Sequence, residues 1–370
     1  MRFVISGGGT GGHINPALAI ANKIKQHHPN AEFLFIGAPY GMEKNLVPKE
    51  GYEIKFVKVK GFNRSLTLKN IDAIIKAFTS IGAAKKIIKE FAPDAVIGTG
   101  GYVSWSALKA ASMLKIPTLI HEQNAYPGVT TNMLSKCVDK VCISFEESRR
   151  FFNEKAKTKL VFTGNPIKTD KFKKTREEAR KELDLPEDVP YILSCGGSLG
   201  AANVNEYVID MMDKFVKNTR IRHIHATGSR GYEKYSAIAK EKGLDKYENI
   251  KILEYIYDME TQMAAADIVI GRAGAITLAE LAYLGKASLL IPSPNVTEDH
   301  QYKNAMVFAN GGAAIVKREN EWNGEELTKC VKELMDNKEK LISLGENAKK
   351  FASSNADELI YQEVMKLIKK

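Results

Sequence analysis

The pattern S-x-G-G-[ST]-x-G occurs twice in this chain, as Ser6-Gly7-Gly8-Gly9-Thr10-Gly11-Gly12 and as Ser194-Cys195-Gly196-Gly197-Ser198-Leu199-Gly200. Each copy follows a short apolar run and precedes a segment with helical spacing. A strand that feeds a glycine turn and then a helix makes a phosphate cradle. Backbone N–H groups and the positive helix end point at the anion, and glycine lets the backbone approach it closely. One copy fits many nucleotide folds, and some plain tight turns as well. Two copies, 188 residues apart, predict two such units in one chain.

The apolar pattern extends this reading. Strand-like runs at 2–6, 32–36, 53–57, 95–97, 117–121, 140–143 and 159–162 alternate with helical patterns near 16–28, 68–91, 104–114 and 129–135. The second half repeats the design. Strands are expected at 191–194, 223–226, 250–253, 268–270, 288–291 and 313–316, and helices near 201–215, 232–242, 261–266, 276–284 and 300–309. Helical sequence then fills 324–336 and 338–370. Short buried strands separated by helices indicate parallel sheets covered on both faces. A chain of 370 residues is also long for one core. The expected fold is α/β: two Rossmann-like, doubly wound parallel-sheet domains facing an interdomain cleft. Residues 1–163 form the first and 164–350 the second, with a last helix over 351–370 that could pack back on the first. Gly164-Asn165-Pro166 and the basic stretch 168–174 read as a linker. Pro16 falls near the first turn of its helix, where a missing N–H costs little. Ligands of such sheets bind at the carboxyl ends of the strands.

Charge divides unevenly. Residues 1–163 hold 23 Lys+Arg against 12 Asp+Glu, a net +11, and the rest of the chain is near neutral at −1. The first domain is therefore expected to face something anionic: nucleic acid, acidic lipid or a phosphorylated substrate. No DNA- or RNA-reading motif accompanies the charge, so nucleic acid is not expected as a partner. No apolar run approaches the roughly 18 residues of a membrane span. The N-terminus enters a strand directly, which predicts a cytoplasmic protein. Cys137, Cys142, Cys195 and Cys330 show no CxxC spacing and read as reduced, structural thiols.

Several nucleotide chemistries fail on the residues. A dinucleotide fold wants an acidic residue after its second strand; here Gly37 follows one such strand and Thr227 ends the other. There is no G-x-x-x-x-G-K-[ST] sequence, which excludes a P-loop. No two aspartates stand two apart, so a D-x-D metal clamp is missing. No metal and no cofactor are expected. A departing pyrophosphate would have to be met by glycine N–H groups and helix ends.

At this point the motifs resemble one family. Gly8-Gly9-Thr10-Gly11-Gly12-His13, Gly100-Gly101-Tyr102-Val103-Ser104, His121-Glu122-Gln123-Asn124 and Gly164-Asn165-Pro166 are similar to first-domain signatures of the MurG family. Gly196–Ala201, Arg272–Thr277 with Ala279-Glu280, and Gln301-Tyr302-Lys303-Asn304-Ala305 resemble its second domain. The likeness covers essentially the whole chain, in the family's order. It implies a GT-B glycosyltransferase, peripheral at the cytoplasmic face of the membrane. Such an enzyme transfers N-acetylglucosamine from UDP-N-acetylglucosamine to the 4-hydroxyl of lipid I, with inversion, to give lipid II for peptidoglycan. Two alternatives are a UDP-N-acetylglucosamine 2-epimerase and a non-catalytic sugar-nucleotide-binding subunit.

The resemblance assigns roles to residues. Glu280 would bind the donor's ribose hydroxyls, with Ala275, Ile276 and Thr277 beside its phosphates. Ser198 would contact phosphate or sugar, Ile256 would offer its backbone to uracil, and Gln301 would bind sugar hydroxyls. Lys168 stands where the family often has arginine; it keeps the charge but loses the bidentate fork. His300 stands where some members carry glutamine. From the first domain, Thr10, Gly11 and Gly12 would close on the donor, and Asn124 would contact the transferred sugar. His13, at a helix start that disfavours its charged form, is one candidate base, with Glu122 its rival; His121 would orient neighbours. Gly9, Gly100, Gly101 and Tyr102 would receive the acceptor's pyrophosphate. Phe62, Arg64, Leu66 and Lys69, apolar residues among cations, are the expected contact with an anionic membrane surface.

Overall fold

Thirteen strands among the described residues form two sheets, and every pairing is parallel. The computed structural model describes the backbone of residues 1–59, 69–217 and 220–369, and their side chains except those of 69–78. Phe62, Arg64, Leu66 and the side chain of Lys69 therefore lie outside the described residues.

Unit 1 comprises Met1–Ile167 and Asn355–Lys370. It starts with β1 (Arg2–Gly7), α1 (Gly11–His27), β2 (Glu32–Gly37), α2 (Glu43–Lys49) and β3 (Glu53–Phe56). Next come α3 (Lys69–Phe91), β4 (Ala95–Gly100), α4 (Tyr102–Met113), β5 (Thr118–Glu122) and α5 (Val129–Leu134). β6 (Lys140–Ile143), α6 (Glu154–Lys157) and β7 (Leu160–Phe162) complete the first stretch. The sheet order is β3-β2-β1-β4-β5-β6-β7. Alternate residues of each strand serve opposite faces. Val4, Leu34, Ile36, Val96, Ile120 and Val141 pack on one side, and Phe3, Ile5, Phe35, Ile97, Leu119 and Cys142 on the other.

Unit 2 spans Lys168–Ser354. Its elements are α7 (Arg176–Glu182), β8 (Tyr191–Cys195), α8 (Ala202–Phe215), β9 (Arg222–Ala226), α9 (Tyr232–Glu241) and β10 (Ile250–Leu253). α10 (Met259–Ala265), β11 (Ile268–Gly271), α11 (Ala275–Leu284), β12 (Ala287–Leu290), α12 (His300–Asn310) and β13 (Ile315–Val316) follow. Two helices, α13 (Gly324–Asp336) and α14 (Lys338–Lys349), close the unit. Strand order is β10-β9-β8-β11-β12-β13. The core of Ile192, Ile268, Ile270 and Leu289 is covered by Val204 and Val208 of α8 and by Leu327, Val331 and Leu334 of α13. Those last three lie at i, i+4 and i+7, one face of a helix. Each unit is a doubly wound parallel-sheet domain.

Four local expectations change. The first helix begins at Gly11, so Pro16 lies inside it rather than in its first turn. Gly164-Asn165-Pro166 is part of unit 1: Asn165 is 5% exposed and donates to the Gln123 carbonyl. The basic stretch after it is folded into unit 2, where Lys171 pairs with Glu260 and Lys174 with Glu182. The last helix starts at Ala356, five residues later than expected. Phe351 stacks on Phe308, ending α14, and the chain restarts as α15 (Ala356–Ile368) in unit 1.

α15 completes the unit 1 core. Ile360, Val364 and Leu367 join the cluster of Phe3, Ile5 and Ile24. Polar contacts fix the helix in register. Lys23 pairs with Asp357, His27 with Glu358, and Lys140 with the buried Glu363. The His27 ring stacks on Tyr361. Ile360 is fully buried, so Ile360→Ala should lower unit 1 stability by about 2–5 kcal/mol in urea unfolding. A change below about 0.5 kcal/mol would mean that α15 is peripheral.

Candidate active site

In both sheets the strand order reverses at the centre, between β1 and β4 in unit 1 and between β8 and β11 in unit 2. Such switch points open a crevice at the carboxyl ends of the strands. Glycine loops leave all four of these strands.

In unit 1 the two loops touch. Gly101 has φ +81°, and a Cβ there would lie 2.4 Å from the Gly8 carbonyl oxygen, so only glycine fits. Ser104 braces the pair, its hydroxyl 2.6 Å from the Ser6 carbonyl and 2.7 Å from that of Gly100. Thr10 is the N-cap of α1, but its side chain makes no cap bond, and no acidic residue occupies the first turn. α4, starting at the half-exposed Tyr102, is likewise uncapped by a side chain and without an acid in its first turn. Both helix starts keep the character of an anion site. The Gly9 N–H is already used: it donates to Glu43 Oε2 at 2.9 Å.

His13 stands in the first turn of α1. Its Nδ1 lies 3.1 Å from the Gly8 carbonyl. A carbonyl only accepts, so Nδ1 carries a proton, which in the neutral ring leaves the lone pair on Nε2. A Cβ on Gly100 would fall 2.9 Å from His13 Nε2. Thr99 holds the residue from behind, donating to its backbone carbonyl at 2.7 Å.

Glu122 ends β5 and is 2% exposed. Its Oε1 accepts the backbone N–H and the side-chain amide of Asn124, at 3.0 and 3.1 Å; its Oε2 accepts Gly128 N–H at 3.0 Å. Three donors commit this carboxylate to shaping the 123–128 turn. Beneath it, His121 is fully buried, with Nε2 2.9 Å from the Gly164 carbonyl and Nδ1 2.9 Å from the Gln123 amide. Burial pushes its pKa down to about 4, so the ring is neutral. Ser144, 2.9 Å from Asn165 Oδ1, links this turn to Gly164-Asn165-Pro166.

In unit 2, α8 and α11 begin at Ala202 and Ala275 with no side-chain cap and no acidic residue in the first turn. Gly200, φ +82°, passes so close to the Thr227 carbonyl that a Cβ would lie 2.1 Å from it. Ser198 is exposed at the loop tip. Ile276 and Thr277 are in the first turn of α11, and Glu280 follows one turn later. Burial, then repulsion from Glu260, raises the Glu280 carboxyl to about 7, against an opposing pull from Lys171. Ile256 follows β10 with its side chain buried in the core. After β12, Gln301 Oε1 accepts Ser293 N–H at 2.9 Å, so its carboxamide offers donors. His300 is turned to its own loop, Nδ1 2.9 Å from the Thr297 carbonyl. Lys168 precedes a single 3-10 turn, Thr169–Lys171.

Comparisons with known proteins agree with this geometry. Residues 3–143 match the glycosyltransferase family 28 N-terminal domain and 191–362 the C-terminal domain. A protein of Acetivibrio thermocellus named UDP-N-acetylglucosamine–N-acetylmuramyl-(pentapeptide) pyrophosphoryl-undecaprenol N-acetylglucosamine transferase is 47% identical, over 100% of this chain and 99% of its own length. The crystal structure of Acinetobacter baumannii MurG superposes with a TM-score of 0.79 at 29% identity, covering 99% of each chain. The chain belongs to the MurG family. A UDP-GlcNAc 2-epimerase from Neisseria meningitidis, at a TM-score of 0.70 but 14% identity over 99% of this chain and 100% of that one, shares the fold alone.

For this MurG-family chain the structure groups the expected residues by unit. Thr10, Gly11, Gly12, His13, Gly100, Gly101 and Tyr102 share the β1/β4 switch point, with Glu122 and Asn124 after the neighbouring β5. Ser198, Ala275, Ile276, Thr277 and Glu280 share the β8/β11 switch point. Ile256 follows the edge strand β10, and Gln301 comes after β12. Sequence reasoning missed the braces behind them. Glu319 accepts from Asn203 at 2.7 Å and pairs with Arg272, tying the start of α8 to the β11–α11 loop. Arg318 pairs with Asp299 at 2.8 Å, fixing the left-handed residue that starts α12. No spacing rule joins positions so far apart in sequence.

Glu122→Ala should leave the Asn124 and Gly128 N–H groups without their acceptor. We expect a loss of about 1–3 kcal/mol and faster proteolysis within 123–128. Unchanged cleavage would show that the turn holds without the carboxylate.

Proposed function

We propose that this chain transfers N-acetylglucosamine from UDP-N-acetylglucosamine to the 4-hydroxyl of lipid I, yielding lipid II, with His13 as general base. Unit 2 holds the donor. The uncapped starts of α8 and α11 meet its pyrophosphate, Glu280 its ribose, the Ile256 backbone its uracil, and Gln301, Ser198 and Lys168 its remaining polar groups. Unit 1 supplies the acceptor site at the α1 and α4 starts, with Asn124 toward the transferred sugar. The acceptor oxygen attacks C1 of the donor sugar and the bond from C1 to the UDP oxygen breaks, inverting the carbon. UDP leaves with the electron pair, and the acceptor proton passes to His13 Nε2.

One observation carries the choice of base. His13 has its proton fixed on Nδ1 by the Gly8 carbonyl, which presents the Nε2 lone pair, whereas Glu122 spends both oxygens on three N–H donors. The full-length likeness to the named transferases supports the activity over the epimerase, which is only a distant fold neighbour. The deciding assay incubates UDP-N-acetylglucosamine with EDTA, with and without a lipid I analogue. UDP release should require the analogue and persist in EDTA; release indifferent to the analogue, or formation of the manno-epimer, would sink the reading. His13→Ala should lower kcat by about 10²–10⁴-fold, the usual scale of general base catalysis.

Glu280 makes donor binding depend on pH. Ribose hydroxyls donate to the carboxylate, so binding favours the ionised form. With a pKa of about 7 in the free protein, acid is the losing side. Affinity for UDP-N-acetylglucosamine should be roughly tenfold weaker at pH 6 than at pH 8, by the ratio of ionised fractions. Calorimetric titration of wild type and Glu280→Gln reads this; a wild-type affinity flat across that range would remove Glu280 from the ribose.

The same reading places the enzyme peripherally at the cytoplasmic membrane face. Among the described residues no helix is long and apolar enough to cross a membrane, and residues 1–163 carry the +11 excess. Phe62, Arg64, Leu66 and Lys69 remain the proposed contact. Co-sedimentation with anionic vesicles should fall on adding about 0.5 M salt, because screening shortens the reach of the charge. Equal binding to neutral vesicles would exclude an electrostatic role.

A further inference from the structure

Glu43, the first residue of α2, is 1% exposed and plays no part in the scheme above. Its Oε1 accepts Ala38 N–H and its Oε2 accepts Gly9 N–H, both at 2.9 Å. Three glycines close around it. A Cβ on Gly8 would lie 2.4 Å from Oε1, one on Gly37 2.7 Å from Cγ, and one on Gly41 2.1 Å from Oε2. Burying a carboxylate is costly unless donors meet it, so this pocket is built for the group it holds.

The Gly9 N–H belongs to the same peptide group as the Gly8 carbonyl, and that carbonyl is the partner of His13 Nδ1 at 3.1 Å. Carboxylate, peptide and imidazole thus stand in series. A trans peptide is planar, so fixing the direction of its N–H fixes its C=O. A carboxylate on the N–H also polarises the carbonyl into a stronger acceptor.

We propose that Glu43 is a positioning residue for the transfer reaction: acting through the Gly8–Gly9 peptide, it holds His13 in the Nδ1–H tautomer, with Nε2 ready to take the acceptor's proton. The inference rests on His13 being the base. It also turns the Gly9 amide away from the acceptor's pyrophosphate, leaving that role to the starts of α1 and α4.

The experiment compares Glu43→Gln, Gly41→Ala, His13→Ala and the Glu43→Gln, His13→Ala double variant in the full chain. Glutamine is nearly isosteric but puts an NH2 against an N–H donor. Gly41→Ala keeps the charge and crowds the carboxylate out of place. The readouts are the ¹⁵N shifts of the His13 ring, kcat, and KM for UDP-N-acetylglucosamine. Each single variant at Glu43 or Gly41 should move the His13 shifts toward a mixture of tautomers. Each should lower kcat by about 10–100-fold, the usual scale for a residue supporting an active group, with donor KM within about twofold. The double variant should be no slower than His13→Ala. Should Glu43→Gln fail to fold, Gly41→Ala gives the same reading. Unchanged shifts with unchanged kcat, or an equal further loss on the His13→Ala background, would overturn the proposal. Full turnover by His13→Ala would instead sink the assignment of the base and leave the tautomer result standing.

Discussion

Every strand in both sheets runs parallel, and the rest of the molecule follows from that. Parallel pairing forces a crossover helix between successive strands, and the right-handed crossover covers both faces of the sheet. It also places the carboxyl end of every strand, and the start of the helix that follows, along one edge. Helix starts in the molecule differ in how their N–H groups are met; α5 and α12, like the four helices at the switch points, have neither a side-chain cap nor an acid in the first turn. α6, α7, α13 and α14 are capped by Asn153, Thr175, Asn323 and Asn337, each accepting a backbone N–H. α1, α4, α8 and α11, which begin at the two switch points, have neither a side-chain cap nor an acid in the first turn. A helix that serves only packing is stabilised by its cap. One that must receive phosphate keeps its N–H groups for the ligand.

Loops built this way are glycine-rich and would be loose without support, and the support is polar and buried. In unit 1, His121, Gln123, Ser144 and Asn165 form one network under the 123–128 turn. In unit 2, Ser194 bridges His223 and His225, at 2.7 and 2.9 Å, directly before the second glycine loop, and His225 reaches Asn205 on α8 at 3.2 Å. Burial lowers the pKa of all three histidines, to about 4 for His121 and His225. They are neutral rings, which lets His121 and His225 each use one nitrogen as donor and the other as acceptor. The buried rings hold loops, whereas the His13 imidazole is partly exposed in the first turn of α1.

Much of this was legible in the sequence because buried parallel strands are short, β-branched and bounded by glycine. The strand positions, the two glycine loops and the helices after them could be read from that contrast. What escaped has physical causes. α1 starts at Gly11, five residues before the apolar periodicity suggests, because Gly11 and Gly12 are poor helix formers that carry no apolar signal of their own. Asn165 looks like part of a linker until its partners Gln123 and Ser144 are known. The break between α14 and α15 falls at 350–355 rather than at 351, because helical periodicity runs through residues that the structure leaves outside both helices. The Arg272–Glu319 pair joins positions 47 residues apart and leaves no local signature.

Glu43 shows why such a residue is hard to read yet tightly specified. A carboxylate inside an anion cradle opposes the ligand the cradle is made for, so a gain must offset it. Both of its partners, Ala38 N–H and Gly9 N–H, are donors, and each meets a different oxygen. Glutamine would turn an NH2 toward one of them, and a hydroxyl offers only one oxygen. Only a group with two acceptor oxygens satisfies both, and only glycine at 8, 37 and 41 leaves room for it. The cost of the charge is met by two charge-assisted bonds, and the return is a fixed peptide plane beneath His13. Four positions scattered over 36 residues are thereby constrained by the orientation of one carbonyl.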